Sequence, residues 1–136
     1  MKQAATDDAR HAFANIPFTR LLGVRREFSE GGRARMVLDP RVEFGNVVGA
    51  VHGGVVLTLL DVAMASAAVS QRDFECTAVT LNISSSFIEP GHGTLAADGE
   101  VLRHDRDIAF CRATVTDQGG RLVAHAIGSF RYIRRP

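Results

Sequence analysis

Asp61 stands in the middle of Val55-Val56-Leu57-Thr58-Leu59-Leu60-Asp61-Val62-Ala63-Met64, a stretch that is otherwise apolar or small. Burying a carboxylate there costs on the order of several kcal/mol unless it is paired, hydrogen-bonded or protonated. Two explanations for keeping it are open. Asp61 can be structural, accepting hydrogen bonds from a neighbouring loop or subunit. Alternatively it is catalytic, because apolar surroundings raise a carboxylate's pKa and make it a stronger base near neutral pH.

The complementary chemistry lies just upstream, in His52-Gly53-Gly54. Unpaired N–H groups at a helix N-terminus, helped by the helix dipole, suit a developing oxyanion, and glycine lets a carbonyl approach the backbone closely. On a helix, Gly54 and Asp61 are about 10 Å apart, too far to meet over one small ester-like group, so a shared site needs a donor from a second copy. A Gly-Gly pair alone is also an ordinary helix start. His52 by itself reads as a loop histidine rather than a general base, and no Ser or Cys nucleophile arrangement has support. His11, His92, His104 and His125 lack ligand spacing, so no metal site is expected.

These residues need elements to position them. From Gly54 to about Ser70 there is no proline and no interior glycine, and four alanines raise helix propensity, which predicts a helix apolar nearly all round and hence buried. Upstream, the spacing of Ala12, Phe13 and Ile16, then Phe18, Leu21 and Leu22, predicts a short N-terminal helix with an apolar face, ending at Gly23. Val24 to Leu38 alternates, with Ala34, Met36 and Leu38 opposite Arg33, Arg35 and Val37, a strand pair turning at Gly31-Gly32. Asp39 to Val51 reads as a loop.

Four further strand-like runs follow: Thr77 to Ile88, Thr94 to Leu102, Ile108 to Asp117 and Leu122 to Ile133. The connections Glu89-Pro90-Gly91, Arg103-His104-Asp105-Arg106-Asp107 and Gln118-Gly119-Gly120 each suit a hairpin, so an antiparallel meander is expected. In the first run, strict alternation groups Val79, Leu81, Ile83 and Phe87 on one face and Thr80, Asn82, Ser84 and Ser86 on the other. Thr80 is then either a water-orienting hydroxyl or surface decoration. The whole is an α+β domain over residues 1–136, with a polar leader over 1–10. The sheet's second face needs cover, which argues for a homo-oligomer.

Sixteen Lys and Arg against fifteen Asp and Glu leave no basic track for nucleic acid or an anionic membrane. The leader has no apolar core of a secretory signal, and the run near Val55 to Val69 reads as too short and too polar to span a bilayer. Cys76 and Cys111 form no CxxC pair and suit reduced thiols, so a cytoplasmic location is expected.

The segment Gly45-Asn46-Val47-Val48-Gly49-Ala50-Val51-His52-Gly53-Gly54, followed by Leu57-Thr58-Leu59-Leu60-Asp61-Val62-Ala63, resembles the hotdog-fold thioesterases of the PaaI-like, phenylacetate-degradation type. The likeness continues through Thr80-Leu81-Asn82-Ile83 to Phe87 and Pro90, and from Gly120 to Phe130. It implies an antiparallel sheet wrapped around the long helix, no cofactor, and a homodimer or homotetramer with active sites between subunits. It further implies hydrolysis of small-to-medium acyl-CoA thioesters. Asp61 would be base or nucleophile and the partner's Gly53 amide the oxyanion donor. Asn46 and His52 would hold the thioester, Gly54 would adjoin it, and Thr80 would be the water-orienting hydroxyl. For the CoA phosphates the candidates are Arg103, Arg106, Arg134 and Arg135. Ser84-Ser85-Ser86 departs from the apolar or aromatic pattern expected there. Two other readings share the fold: a hydroxyacyl thioester dehydratase, and a non-catalytic acyl-CoA-binding module that uses Asp61 structurally.

Overall fold

The computed structural model describes residues 16–134. The polar leader, His11, the predicted helical residues Ala12 and Phe13, and Arg135 lie outside them. Helix α1, Pro17–Leu22, opens on proline, whose missing N–H costs nothing at the first position, and closes on Gly23 at φ +77°. Of the apolar face its spacing suggests, only Leu22 among the described residues packs against the core. At six residues it is less than two turns, Phe18 and Leu21 point to solvent, and the buried side chain is Thr19, which donates to the Ile16 carbonyl at 2.9 Å.

Strands β1, Arg25–Glu30, and β2, Arg33–Leu38, form the expected hairpin. Gly31 and Gly32 both have positive φ, which a two-residue turn matched to the strand twist demands. Ala34, Met36 and Leu38 are buried, as their alternation predicts. A loop containing one 3-10 turn, Val42–Phe44, leads to helix α2, Gly53–Gln71. Then come β3, Cys76–Phe87; β4, Leu95–His104; β5, Ile108–Thr116; and β6, Leu122–Arg134.

The six strands make one antiparallel sheet in the order β1-β2-β4-β5-β6-β3. β4, β5 and β6 form the expected meander, but β3 is not part of it. It pairs with β6 at the far edge, so Glu89-Pro90-Gly91 belongs to a crossover rather than a hairpin. The reason is that β2 takes β4 as its neighbour, leaving the chain to pass along α2 to the opposite edge before it returns. The crossover is tied down by Ile88 N–H on the Val123 carbonyl at 2.7 Å and by Val51 N–H on the Gly91 carbonyl at 3.1 Å.

α2 lies in the concave face of the sheet, with Leu59, Leu60 and Met64 fully buried among Leu38, Leu95, Val115 and Phe130. It packs so closely on Gly99 of β4 that an added Cβ there would sit 2.5 Å from the Ala63 carbonyl oxygen. Toward its C-terminus α2 is pinned by polar contacts. Tyr132 donates to the Ala68 carbonyl at 2.8 Å, and the Ser66 hydroxyl meets that of Ser29 at 2.7 Å. By length and composition α2 is apolar enough to cross a membrane, contrary to the expectation from the run Val55 to Val69. Its burial under the sheet accounts for that apolarity.

The pairing of β3 with β6 slips between Thr80 and Asn82, so Leu81 is the extra residue of a β-bulge. Before the bulge Ala78 and Thr80 face the helix; after it Ile83, Ser85 and Phe87 do, by their register with inward-facing positions of β6. The single apolar face expected from strict alternation is therefore split. Val79 and Leu81 are exposed.

Candidate active site

Ten residues of α2 are buried, but Gly54, Leu57, Thr58, Asp61, Val62 and Ala65 make a flank that the chain itself does not fully cover. Asp61 is on this flank, half-buried, beside the inner face of β3. Its Oδ1 accepts a hydrogen bond from the Thr80 hydroxyl at 2.6 Å. Burial pushes the Asp61 carboxyl above the usual carboxylate range, and the Thr80 bond, which favours the charged form, works against that rise. The bulge at Leu81 turns Thr80 inward. Because a hydroxyl has one proton and this one goes to Asp61, Thr80 can only accept from a water.

At the other end of the flank the helix start is organised around His52. Its backbone N–H donates to the Phe44 carbonyl at 2.7 Å, and its Nδ1 caps the helix by accepting from Gly54 N–H at 2.9 Å. Nδ1 is thus the unprotonated nitrogen and Nε2 carries the proton. The cap occupies the Gly54 N–H, and Val55 and Val56 N–H both turn to the His52 carbonyl. Gly53 N–H, at the first helical position, donates to no oxygen among the described residues. Of the two glycines it is the one with a donor to offer. Gly54 has a different reason to be glycine, since a Cβ there would lie 3.1 Å from His52 Nδ1.

Asn46 builds the loop that leads here. Its Oδ1 accepts from Val48 and Ala50 N–H, both at 3.0 Å, and its carbonyl accepts from Gly49 N–H at 3.1 Å, where φ is +78°. That leaves its Nδ2 amide group for a ligand. Next to Gly53 a cleft of about 250 Å³ opens between α2 and the end of β3. Its walls are Val51, Val56, Phe87, Ile88, Pro90 and Val123, with Asn46, Gly53, Glu89 and Gly91 also contributing.

The structure puts the Thr80 hydroxyl on Asp61, a pairing the sequence does not predict, and sets Asn46 and His52 beside Gly53. It does not bring these two groups together within one chain. Eight residues of helix separate Gly53 from Asp61, about 12 Å. Arg103 and Arg106 lie elsewhere again, in and beside the β4–β5 turn, which Arg72 at the end of α2 holds through the Asp105 and Arg106 carbonyls at 3.3 Å. Arg134 ends β6, opposite Cys76. Phe87 shares the inward face with Ile83 as their alternation predicts, but neither it nor Val56 nor Val123 reads from sequence as more than core, so the cleft itself carries no signal there. Neither cysteine is placed as a nucleophile: burial raises both thiols, that of Cys111 to about 12, which disfavours the reactive thiolate.

Residues 48–124 match the family model of the thioesterase superfamily. A curated relative from Saccharolobus solfataricus, named "Putative esterase SSO2140", is 31% identical over 106 residues, covering 77% of this chain and 75% of that protein. The E. coli PaaI protein from the phenylacetic acid degradation operon superposes with a TM-score of 0.85 at 24% identity, over 94% of this chain and 93% of that one. A hypothetical thioesterase protein solved with coenzyme A, from Streptococcus pneumoniae, gives 0.75 at 23% identity over 83% and 88%. With one helix wrapped in an antiparallel sheet and an acid on that helix's open flank, the chain has the hotdog fold, belongs to the thioesterase superfamily and is a thioester hydrolase.

Proposed function

We propose that the chain hydrolyses small-to-medium aryl or aliphatic acyl-CoA thioesters to the free acid and CoA, at sites formed between two copies of itself. The observation that carries this reading is the Gly53 N–H at the start of α2, without an acceptor among the described residues and set about 12 Å from the acid on the same helix. Two half-sites that cannot meet in one chain become whole ones when a second copy is placed with its Gly53 over Asp61. The outer edge of β3 supports such a pairing, since among the described residues its twelve-residue strand has no neighbour on that side.

In this site the thioester oxygen lies on the Gly53 N–H of one copy and the carbonyl carbon faces Asp61 of the other. Asp61 either takes a proton from water as its oxygen attacks, or attacks directly to give an acyl anhydride that water then opens. Collapse of the oxyanion breaks the C–S bond, and the departing CoA thiolate takes the proton lost by water, held on Asp61 in the first route and released when the anhydride is opened in the second. His52 Nε2 and Asn46 Nδ2 donate to the bound thioester, and Thr80 holds Asp61. No cofactor is needed. The dehydratase alternative would use His52 for proton transfer, but its Nδ1 is committed to the helix cap.

CoA is the natural carrier, as in the pneumococcal protein of this fold. Arg72, about 16 Å beyond Asp61 along the helix axis, holds the turn that carries Arg106 and adjoins Arg103, a reach suited to a pantetheine arm ending in phosphates. Two free thiols fit a reduced cytoplasm. The test is thiol release from phenylacetyl-CoA, benzoyl-CoA and medium-chain acyl-CoAs. Asp61→Asn is expected to lose about 10²–10⁴-fold in kcat. A folded, oligomeric Asp61→Asn protein with wild-type turnover would overturn the assignment.

A further inference from the structure

We propose that the cleft at the start of α2 is the acyl subsite, and that Phe87 and Ile88 at the end of β3 set how large an acyl group the site accepts. The inference rests on the hydrolase reading above and adds to it where the acid half of the substrate goes. Gly53 is one of the cleft's own residues, so a carbonyl oxygen on the Gly53 N–H has the cleft directly beside it. Each thioester carbonyl carries two arms, and the lining decides between them. A pantetheine arm has two amides that need partners, whereas six of the ten residues lining the cleft are Val51, Val56, Phe87, Ile88, Pro90 and Val123, with Asn46 and Glu89 its two polar side chains. An alkyl or aryl group loses nothing there.

Size narrows the class. An apolar cavity of about 150 Å³ takes benzene, so a cleft of about 250 Å³ holds a ring with two or three further carbons, or an alkyl chain of similar bulk. Phenylacetyl and hexanoyl match that volume, and a palmitoyl chain exceeds it. Val56 and Val123 are buried in the core and form a fixed floor, while Phe87 and Ile88 are half exposed and can be exchanged without opening the core. The Phe87 ring stands 3.5 Å from where a Cβ on Gly53 would be, so it walls the cleft at the reacting end. Glu89 also borders the cleft, with its carboxylate 3.7 Å from Arg121.

Two measurements separate this proposal from the one it rests on. The first is kcat/KM across acyl-CoAs from acetyl to palmitoyl, with benzoyl and phenylacetyl, for the wild type, Phe87→Ala and Ile88→Trp. The wild type is expected to favour hexanoyl, octanoyl and phenylacetyl over both extremes. Ile88→Trp should lower the phenylacetyl-to-acetyl ratio about tenfold or more, and Phe87→Ala should move the optimum to longer chains. Ratios unchanged in both variants would overturn the subsite. The second measurement is the shift of the Val56 and Val123 methyl resonances on adding a non-hydrolysable hexanoyl-CoA thioether. Shifts without thiol release from any substrate would sink the hydrolysis and keep the subsite; hydrolysis without these shifts would do the reverse.

Discussion

At the scale of single residues, the site turns on how Asp61 is kept both basic and ionisable. Its position is unfavourable by itself, because water is partly removed from the charged form and burial is the larger influence on its pKa. A carboxyl raised in this way contributes stability while protonated and loses it as pH climbs through its folded pKa. Asp61→Asn should therefore unfold no more easily than the wild type at neutral pH, which keeps its loss of activity interpretable. The Thr80 hydroxyl offsets part of the burial by donating to the charged form at 2.6 Å. Removing it has a definite sign. In Thr80→Val the carboxyl should rise further, so the acid limb of the kcat/KM profile should move to higher pH, with a fall in kcat of about tenfold or more. A pH profile superimposable on wild type would show that Thr80 only decorates the strand.

At the scale of elements, the position of Asp61 depends on how closely α2 can approach the sheet. Gly99 of β4 is the contact point, and a methyl there would be driven into the Ala63 carbonyl, two residues beyond Asp61. Backbone cannot give way as a flexible side chain can, so Gly99→Ala should cost about 1–3 kcal/mol, read as a lower unfolding midpoint, and should reduce kcat by displacing the acid. An unaltered midpoint would mean the helix has slack. Much of this scaffold was legible in the sequence, since local pattern fixes local structure. The β1–β2 hairpin follows from Gly31-Gly32, and α2 from a run free of breakers. The pairing of β3 was not legible, because a strand's partner is chosen by the sheet as a whole and Glu89-Pro90-Gly91 looks the same in a hairpin and in a crossover. Nor was the bulge at Leu81, since alternation cannot reveal where a register slips. Yet that slip is what puts Thr80 and Phe87 on the same side of β3. His52-Gly53-Gly54 and Asp61 were visible as chemistry, whereas the His52 cap, which takes the Gly54 N–H and leaves that of Gly53 as the donor, emerges in three dimensions alone.

At the scale of the whole molecule, the question is whether the two halves of the site belong to different chains. The outer sheet face is largely paired, with Arg35 on Asp98 at 2.7 Å and Arg112 on Glu100, although Phe110 and Ile127 remain exposed. The open flank of α2 and the free edge of β3 adjoin each other, and together they form the surface that a second copy would cover. Two variants convert this into a decisive mixture. Gly53→Pro deletes the proposed oxyanion donor at the one helical position that tolerates proline, and His52, at φ −57° and ψ 138°, already has the backbone that a following proline requires. Losing that donor should cost about 10²–10³-fold in kcat. Asp61→Asn deletes the acid. Each homodimer should be inactive, but a dimer with one chain of each kind has one site missing both groups and one site missing neither. Unfolding and refolding the two together in equal amounts should therefore restore about a quarter of wild-type activity per chain, since half the dimers are mixed and each has one intact site. If the acid and the donor served the same thioester within one chain, every site in the mixture would lack one of them, and no activity would return.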